Sequence, residues 1–154
     1  MLKISTPAPS FSQLSQSSKS ISLNDFKGNK NVVLYFYPKD DTPGCTLQAN
    51  QFSTLIEEFA SNDTVVIGVS KDSCESHQSF IDKYSLKVEL ISDSQGELCE
   101  AYGVWQEKEK NGIKKMGIVR STFIIDKHAD LVDVEYGVSA DGHAQAVLEK
   151  VQKL

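Results

Sequence analysis

Asn31-Val32-Val33-Leu34-Tyr35-Phe36-Tyr37 is the stretch whose character decides the fold. It is a continuous β-type run, rich in β-branched and aromatic side chains, without the polar alternation of a half-exposed strand. Such a strand is buried on both faces and belongs at the centre of a sheet covered by helices. Pro38 stops it, since proline has no backbone N–H to give to a ladder.

Outward from this strand, Thr42 is a good N-cap and Pro43 suits the first helical position. Apolar residues then recur at 49, 52, 55, 56 and 59, which predicts a helix. A second strand, Val65–Val69, feeds a helix near 73–84, with Asp72 and Glu75 spaced as a capping box. A short strand at 88–91 and a short helix at 95–102 follow. The charged stretch 106–117 contains Asn111-Gly112 and reads as a solvated loop or hairpin. Strands at 118–126 and 130–136 precede a closing helix, 141–154, with Ala144, Val147, Leu148, Val151 and Leu154 on one face. Residues 1–20, rich in Ser, Pro and Gln and holding Pro7 and Pro9, read as a loose lead-in.

Two β-α pairs, then a β-hairpin and a helix, predict an α/β fold of the thioredoxin type, a mixed central sheet flanked by helices. A flavodoxin-like doubly wound sheet is the rival. The late hairpin, with no crossover helix between 118–126 and 130–136, counts against it. At 154 residues the chain is expected to form a single domain, 1–154. A net charge of -5 argues against nucleic acid and anionic membranes as partners. No apolar run has the length of a membrane span, and no signal-type segment opens the sequence, so the expected location is cytoplasmic. Cys45, Cys74 and Cys99 are an odd count without metal-type spacing or a C-x-x-C pair, which leaves room for a reactive thiol. The expectation is no metal and no cofactor.

Cys45 follows Pro38-Lys39-Asp40-Asp41-Thr42-Pro43-Gly44, just beyond the carboxyl end of the central strand, where reactive groups of open α/β sheets gather. In the first helical turn it meets free backbone N–H groups and the positive end of the helix dipole, which favour an anionic sulfur. It also shares a stripe with Ala49, Phe52, Ile56 and Phe59, so a sheltered position is expected. An ordinary thiol is ~3% ionised at neutral pH, so full ionisation gains at most ~30-fold in rate. A larger rate gain needs donors that hold the partner of the thiolate and take up charge on the departing atom. Arg120 is the candidate. It is the one arginine among sixteen basic residues, set in the apolar stretch Gly117–Ile125, where a planar multi-donor cation is a pointed choice. A snorkelling arginine on an edge strand is the bland alternative. Asp40 and Asp41 would oppose an anionic sulfur if they faced it, and both are expected to face solvent.

Pro38, Thr42 and Cys45 match the P-x-x-x-T-x-x-C pattern of peroxiredoxins. Together with YFYPKDDTPGCT, the GVW at 103–105 and RSTFIID at 120–126, they resemble the bacterioferritin comigratory (Q-type) subfamily along the whole chain. The resemblance implies a thiol peroxidase that reduces hydrogen peroxide and organic hydroperoxides. Cys45 would be the peroxidatic cysteine, becoming a sulfenic acid. Thr42 would donate to and orient the peroxide, Arg120 would hold the thiolate and the oxygens, and Pro38 would shield the sulfur. It also implies a monomer, with thioredoxin or glutathione/glutaredoxin as reductant.

Many Q-type members carry a resolving cysteine five residues after the peroxidatic one, but here that position is Asn50. The sulfenic acid is then met either by an external thiol, the route placed first, or by Cys74 at the start of the next helix, placed second. His77 lies three residues on and could influence that thiol. Cys74 also has a redox-inert packing reading, and Cys99 reads as packing. His77, His128 and His143 are expected at solvated positions, and Trp105 in packing. Two other classes stay open on the fold alone. A thiol–disulfide oxidoreductase is opposed by the missing C-x-x-C, and a non-catalytic binding module by the presence of Pro38, Thr42, Cys45 and Arg120 together.

Overall fold

The computed structural model describes residues 1–154. Where the sequence suggests only a lead-in, the chain forms a short hairpin, β1 (Ser12–Ser15) and β2 (Ser20–Ser22). Serine-rich strands of this kind are held by backbone hydrogen bonds to a sheet edge, so side-chain pattern gives no signal for them. Phe11 and Leu23, flanking the hairpin, are buried and fasten it to the core.

The apolar run is β3 (Asn31–Phe36), buried at all six positions. After it come α1 (Pro43–Thr54), α2 (Ile56–Ser61), β4 (Thr64–Ser70), α3 (Cys74–Tyr84), β5 (Glu89–Ser92) and α4 (Glu97–Ala101). The helix expected to run continuously past residue 55 breaks at Leu55, yet Phe52 and Phe59 on either side remain in one cluster. The stretch read as loop or hairpin is a two-stranded ribbon, β6 (Trp105–Lys110) and β7 (Ile113–Ile118), turning at Asn111-Gly112 with positive φ at both residues. β8 (Ser121–Ile125), β9 (Leu131–Tyr136) and α5 (His143–Val151) complete the chain. α5 is shorter than expected at both ends, and Leu154 is exposed.

The main sheet runs β2-β1-β5-β4-β3-β8-β9. β3, β4 and β5 are parallel, whereas β8 is antiparallel to β3 and β9 to β8, as the late hairpin requires. Alternation along β3 sorts the core into two layers. Val32, Leu34 and Phe36 join one cluster with Leu98, Cys99 and Tyr102 of the α4 region. Val33, Tyr35 and Tyr37 join the other, with Cys45 and Phe52 of α1, Phe80 of α3 and Val147 and Leu148 of α5. Gly68 on β4 makes room for this second layer, because a Cβ there would lie 2.8 Å from the Tyr35 ring. β3 and β4 are neighbours in register, so the helices that follow them, α1 and α3, start from the same edge of the sheet.

Candidate active site

Cys45 is the third residue of α1 and 2% exposed, its side chain among the Tyr35, Ala49 and Phe52 layer. The sheltered stripe expected for it is present. Thr42 precedes the helix in extended conformation, but its side chain does not cap the first turn. Its hydroxyl donates to the Lys39 carbonyl at 2.8 Å, so its one proton is not free to donate to a peroxide as expected, and the Oγ1 lone pairs are left to accept. The opening amides of α1 therefore keep their positive potential without a side-chain oxygen upon them.

Arg120 reaches this point from the short link between β7 and β8, not from within a strand. Its Nη2 lies 3.4 Å from Cys45 Sγ, and its Nη1 donates to Gln48 Oε1 at 2.6 Å. No carboxylate pairs with it. Gln48, fully buried and three residues after Cys45, thus fixes the guanidinium without neutralising it and leaves the charge to the sulfur. Sequence reasoning missed Gln48. A polar residue at i+3 on an otherwise apolar helical stripe was the available signal. Gly44 leaves room for the approach, since a Cβ there would stand 3.1 Å from Arg120 Nη2, tighter than ordinary contact. The hydroxyls of Tyr35 and Thr46 and the Nε2 of Gln48 are buried without hydrogen-bond partners. Burial, then the nearby Cys45 and Asp40 charges, push the Tyr35 hydroxyl well above its ordinary pKa, with Arg120 pulling the other way.

Pro38 is exposed and lines a groove of about 790 Å³ with Trp105, Ile113 and Met116 of the ribbon. Trp105 is part-buried against the core, with Lys71 Nζ 4.2 Å from its ring centroid. It packs, as expected.

Asp41 faces solvent as expected, held by Lys83 at 2.7 Å and by the Tyr84 hydroxyl, which keep its pKa below the usual carboxylate range. Asp40 does not. Its carboxylate is buried, receiving Tyr37 Oη at 2.6 Å and Ser76 Oγ at 2.8 Å, with His77 Nδ1 2.7 Å away. Partnered donors solve the desolvation that would otherwise drive a carboxylate outward. His77, expected in solvent and near Cys74 in effect, is likewise fully buried, and its Nε2 lies 3.0 Å from the Ile91 carbonyl. Both ring nitrogens are engaged away from the thiol. The expected Asp72–Glu75 capping box is also replaced. Ser73 caps α3, and Asp72 Oδ2 receives the Asp40 amide and the Ser70 hydroxyl. Asp40, Asp72 and His77 bring their ligand-type atoms within 4.8 Å of one another, but protein partners already engage those atoms, and no metal is assigned there.

Cys74 opens α3, half-buried, on the same sheet edge as Cys45. Cys99 is buried in packing, with its amide donating to Asp93 Oδ2 at 2.8 Å. Burial, then the hydrogen bond and charge of Asp93, push its thiol far above the ordinary cysteine range. His128 is exposed, as expected. His143 is not: its Nε2 meets Thr122 Oγ1 at 2.8 Å, and burial lowers its pKa.

Residues 4–134 match the AhpC/TSA family model. A curated relative from Helicobacter pylori, a putative peroxiredoxin bcp, is 45% identical over 97% of this chain and 98% of its own. Among solved structures, a cysteine-to-serine variant of PrxQ from Xylella fastidiosa superposes with a TM-score of 0.93 at 35% identity, covering 99% of this chain and 97% of its own. The bacterioferritin comigratory protein of Xanthomonas campestris, described for its alkyl peroxide reduction activity, gives a TM-score of 0.90 at 33% identity, covering 98% of each chain.

Proposed function

Because the chain belongs to the AhpC/TSA family of peroxiredoxins, and is thus a thiol-dependent peroxidase, we propose that Cys45 is its peroxidatic cysteine and that Arg120, Thr42 and Pro38 complete the site. The contact of Arg120 Nη2 with Cys45 Sγ at 3.4 Å carries this reading. A guanidinium held by a neutral amide stabilises an anionic sulfur, and it can then follow charge onto the departing oxygen. The thiolate attacks one peroxide oxygen. An S–O bond forms as the O–O bond breaks, and water or an alcohol leaves after taking a proton, with Cys45 as sulfenic acid. Thr42, whose own proton is given to Lys39, receives the O–H of the hydroperoxide on its free lone pairs. Pro38, at the start of the connection that leads to Cys45, takes the part of a shield for the sulfur in this reading.

Hydrogen peroxide and alkyl hydroperoxides are the proposed substrates, the latter suggested by the Xanthomonas relative. A thiol is the reductant, and thioredoxin or a glutathione/glutaredoxin system is the proposed source. One thiol attacks the sulfenic sulfur and releases water, and a second breaks the mixed disulfide and frees Cys45. Closure with Cys74 is the second route, and it needs local unwinding of one helix start, since bridged Cα atoms lie within ~7 Å. Three free cysteines suit a reducing, cytoplasmic setting, and the family resemblance suggests a monomer of one domain. No helix is long and apolar enough to cross a membrane.

Cys45→Ser tests the reading through peroxide consumption with a thiol reductant. The expected loss is on the order of 10⁴-fold, and turnover persisting at the parent rate would remove Cys45 from the reaction. Mass spectrometry of non-reduced peptides after one equivalent of peroxide separates the recycling routes. Sulfenate alone supports the external thiol, whereas a Cys45–Cys74 cross-link supports internal closure.

A further inference from the structure

The turn between β3 and α1 is tied to the start of α3 through one buried carboxylate. Asp40 Oδ2 stands 2.7 Å from His77 Nδ1 and 2.8 Å from Ser76 Oγ, Asp40 Oδ1 accepts from Tyr37 Oη at 2.6 Å, and the Asp40 amide donates to Asp72 Oδ2 at 2.8 Å. On its far side His77 Nε2 faces the Ile91 carbonyl at 3.0 Å. A carbonyl can only accept, so Nε2 carries a hydrogen there. The 2.7 Å separation of Nδ1 from Oδ2 requires a second proton between imidazole and carboxylate, whichever atom holds it. Without that proton two lone pairs would face each other inside the protein.

We propose that Asp40 and His77 are positioning residues of the peroxidase, their shared proton holding the 38–42 turn on α3 and so keeping Thr42 and the opening of α1 in register for Cys45. The inference rests on Cys45 being the peroxidatic cysteine. Asp40 lies two residues before the helix-starting Thr42, and Asp41 between them is held at a positive φ of 57°, so a shift of Asp40 passes along the chain with little slack. The same clasp acts on the other thiol. Ser76 and His77 lie within one helical turn of Cys74, so the clasp also keeps the start of α3 wound. Formation of a Cys45–Cys74 disulfide, in which the Cys74 thiol displaces water from the sulfenic sulfur, then has to break it. In this structure the clasp favours the external thiol.

His77→Gln retains an amide for one of the two contacts but cannot bridge both. Its expected effect is a fall of about tenfold in the single-turnover rate of Cys45 oxidation by hydrogen peroxide. A severalfold larger share of Cys45–Cys74 cross-link should appear in non-reduced peptides. Ser76→Ala, which removes one donor and leaves the pair, should give about a threefold fall and decides the matter where His77→Gln does not fold. Folded variants that oxidise Cys45 at the parent rate, with the parent cross-link fraction, would overturn the proposal. A Cys45→Ser protein that still turns over peroxide would instead remove the reading beneath it.

Discussion

Two helices in this chain place a buried cysteine at their third residue, and the two sulfurs live in opposite fields. Cys45 in α1 and Cys99 in α4 are 2% and 0% exposed. At α4 the carboxylate of Asp93 takes the amides of Leu98 and Cys99, so the helix start is filled by a negative charge that opposes ionisation of the thiol beside it. At α1 the flanking hydroxyl turns away to Lys39, and a guanidinium braced by an uncharged amide meets the sulfur. Burial and helical position are thus shared. The charge brought to the helix start is what differs between them.

The largest break in this contrast is Arg120→Lys, which keeps the charge but loses the fork that spans Gln48 and the sulfur. A fall of about 10²-fold in kcat/KM for peroxide is expected, and a fall below threefold would show that position alone suffices. Gln48→Leu keeps the volume and removes the brace, so about a tenfold fall is expected in the same assay, with thermal stability near the parent's.

Asp93→Asn sharpens the other side. With the charge gone, Cys99 should label faster with a thiol reagent while peroxide turnover holds, and stability should drop by about 1 kcal/mol from the weakened cap in a denaturant titration. The smallest effect concerns His143, whose pKa is lowered by burial. The folded state resists its protonation, so its contribution is complete above the ordinary imidazole value of about 6.5 and is lost as pH falls below it. Relative to a His143→Gln variant, the parent should lose about 1–2 °C of melting temperature between pH 7.5 and 5.5.

The parts of the fold legible in the sequence were those written in burial. The uninterrupted run 31–37 announced the central strand, and the Thr42-Pro43 start with its apolar stripe placed Cys45 in a first helical turn. Arg120 stood out by composition. The parts that stayed hidden depend on partners far along the chain. Asp40 and His77 look like surface residues one at a time, and only the 37-residue reach from one to the other makes each buried and satisfied. Gln48 is explained by Arg120, 72 residues away. His143 is explained by a threonine on β8. The hairpin of β1 and β2 depends on an edge that β5 provides much later.

That hairpin also forms one of the two borders of the sheet. One border of the sheet ends in three residues, Ser20–Ser22, and the other in a strand whose pairing is interrupted by a bulge at Ile124/Ile125. A foreign segment seeking to extend the array finds a stub at one margin and a kinked ladder at the other. Protection against stacking into fibrils is thus drawn from the chain's least patterned stretch.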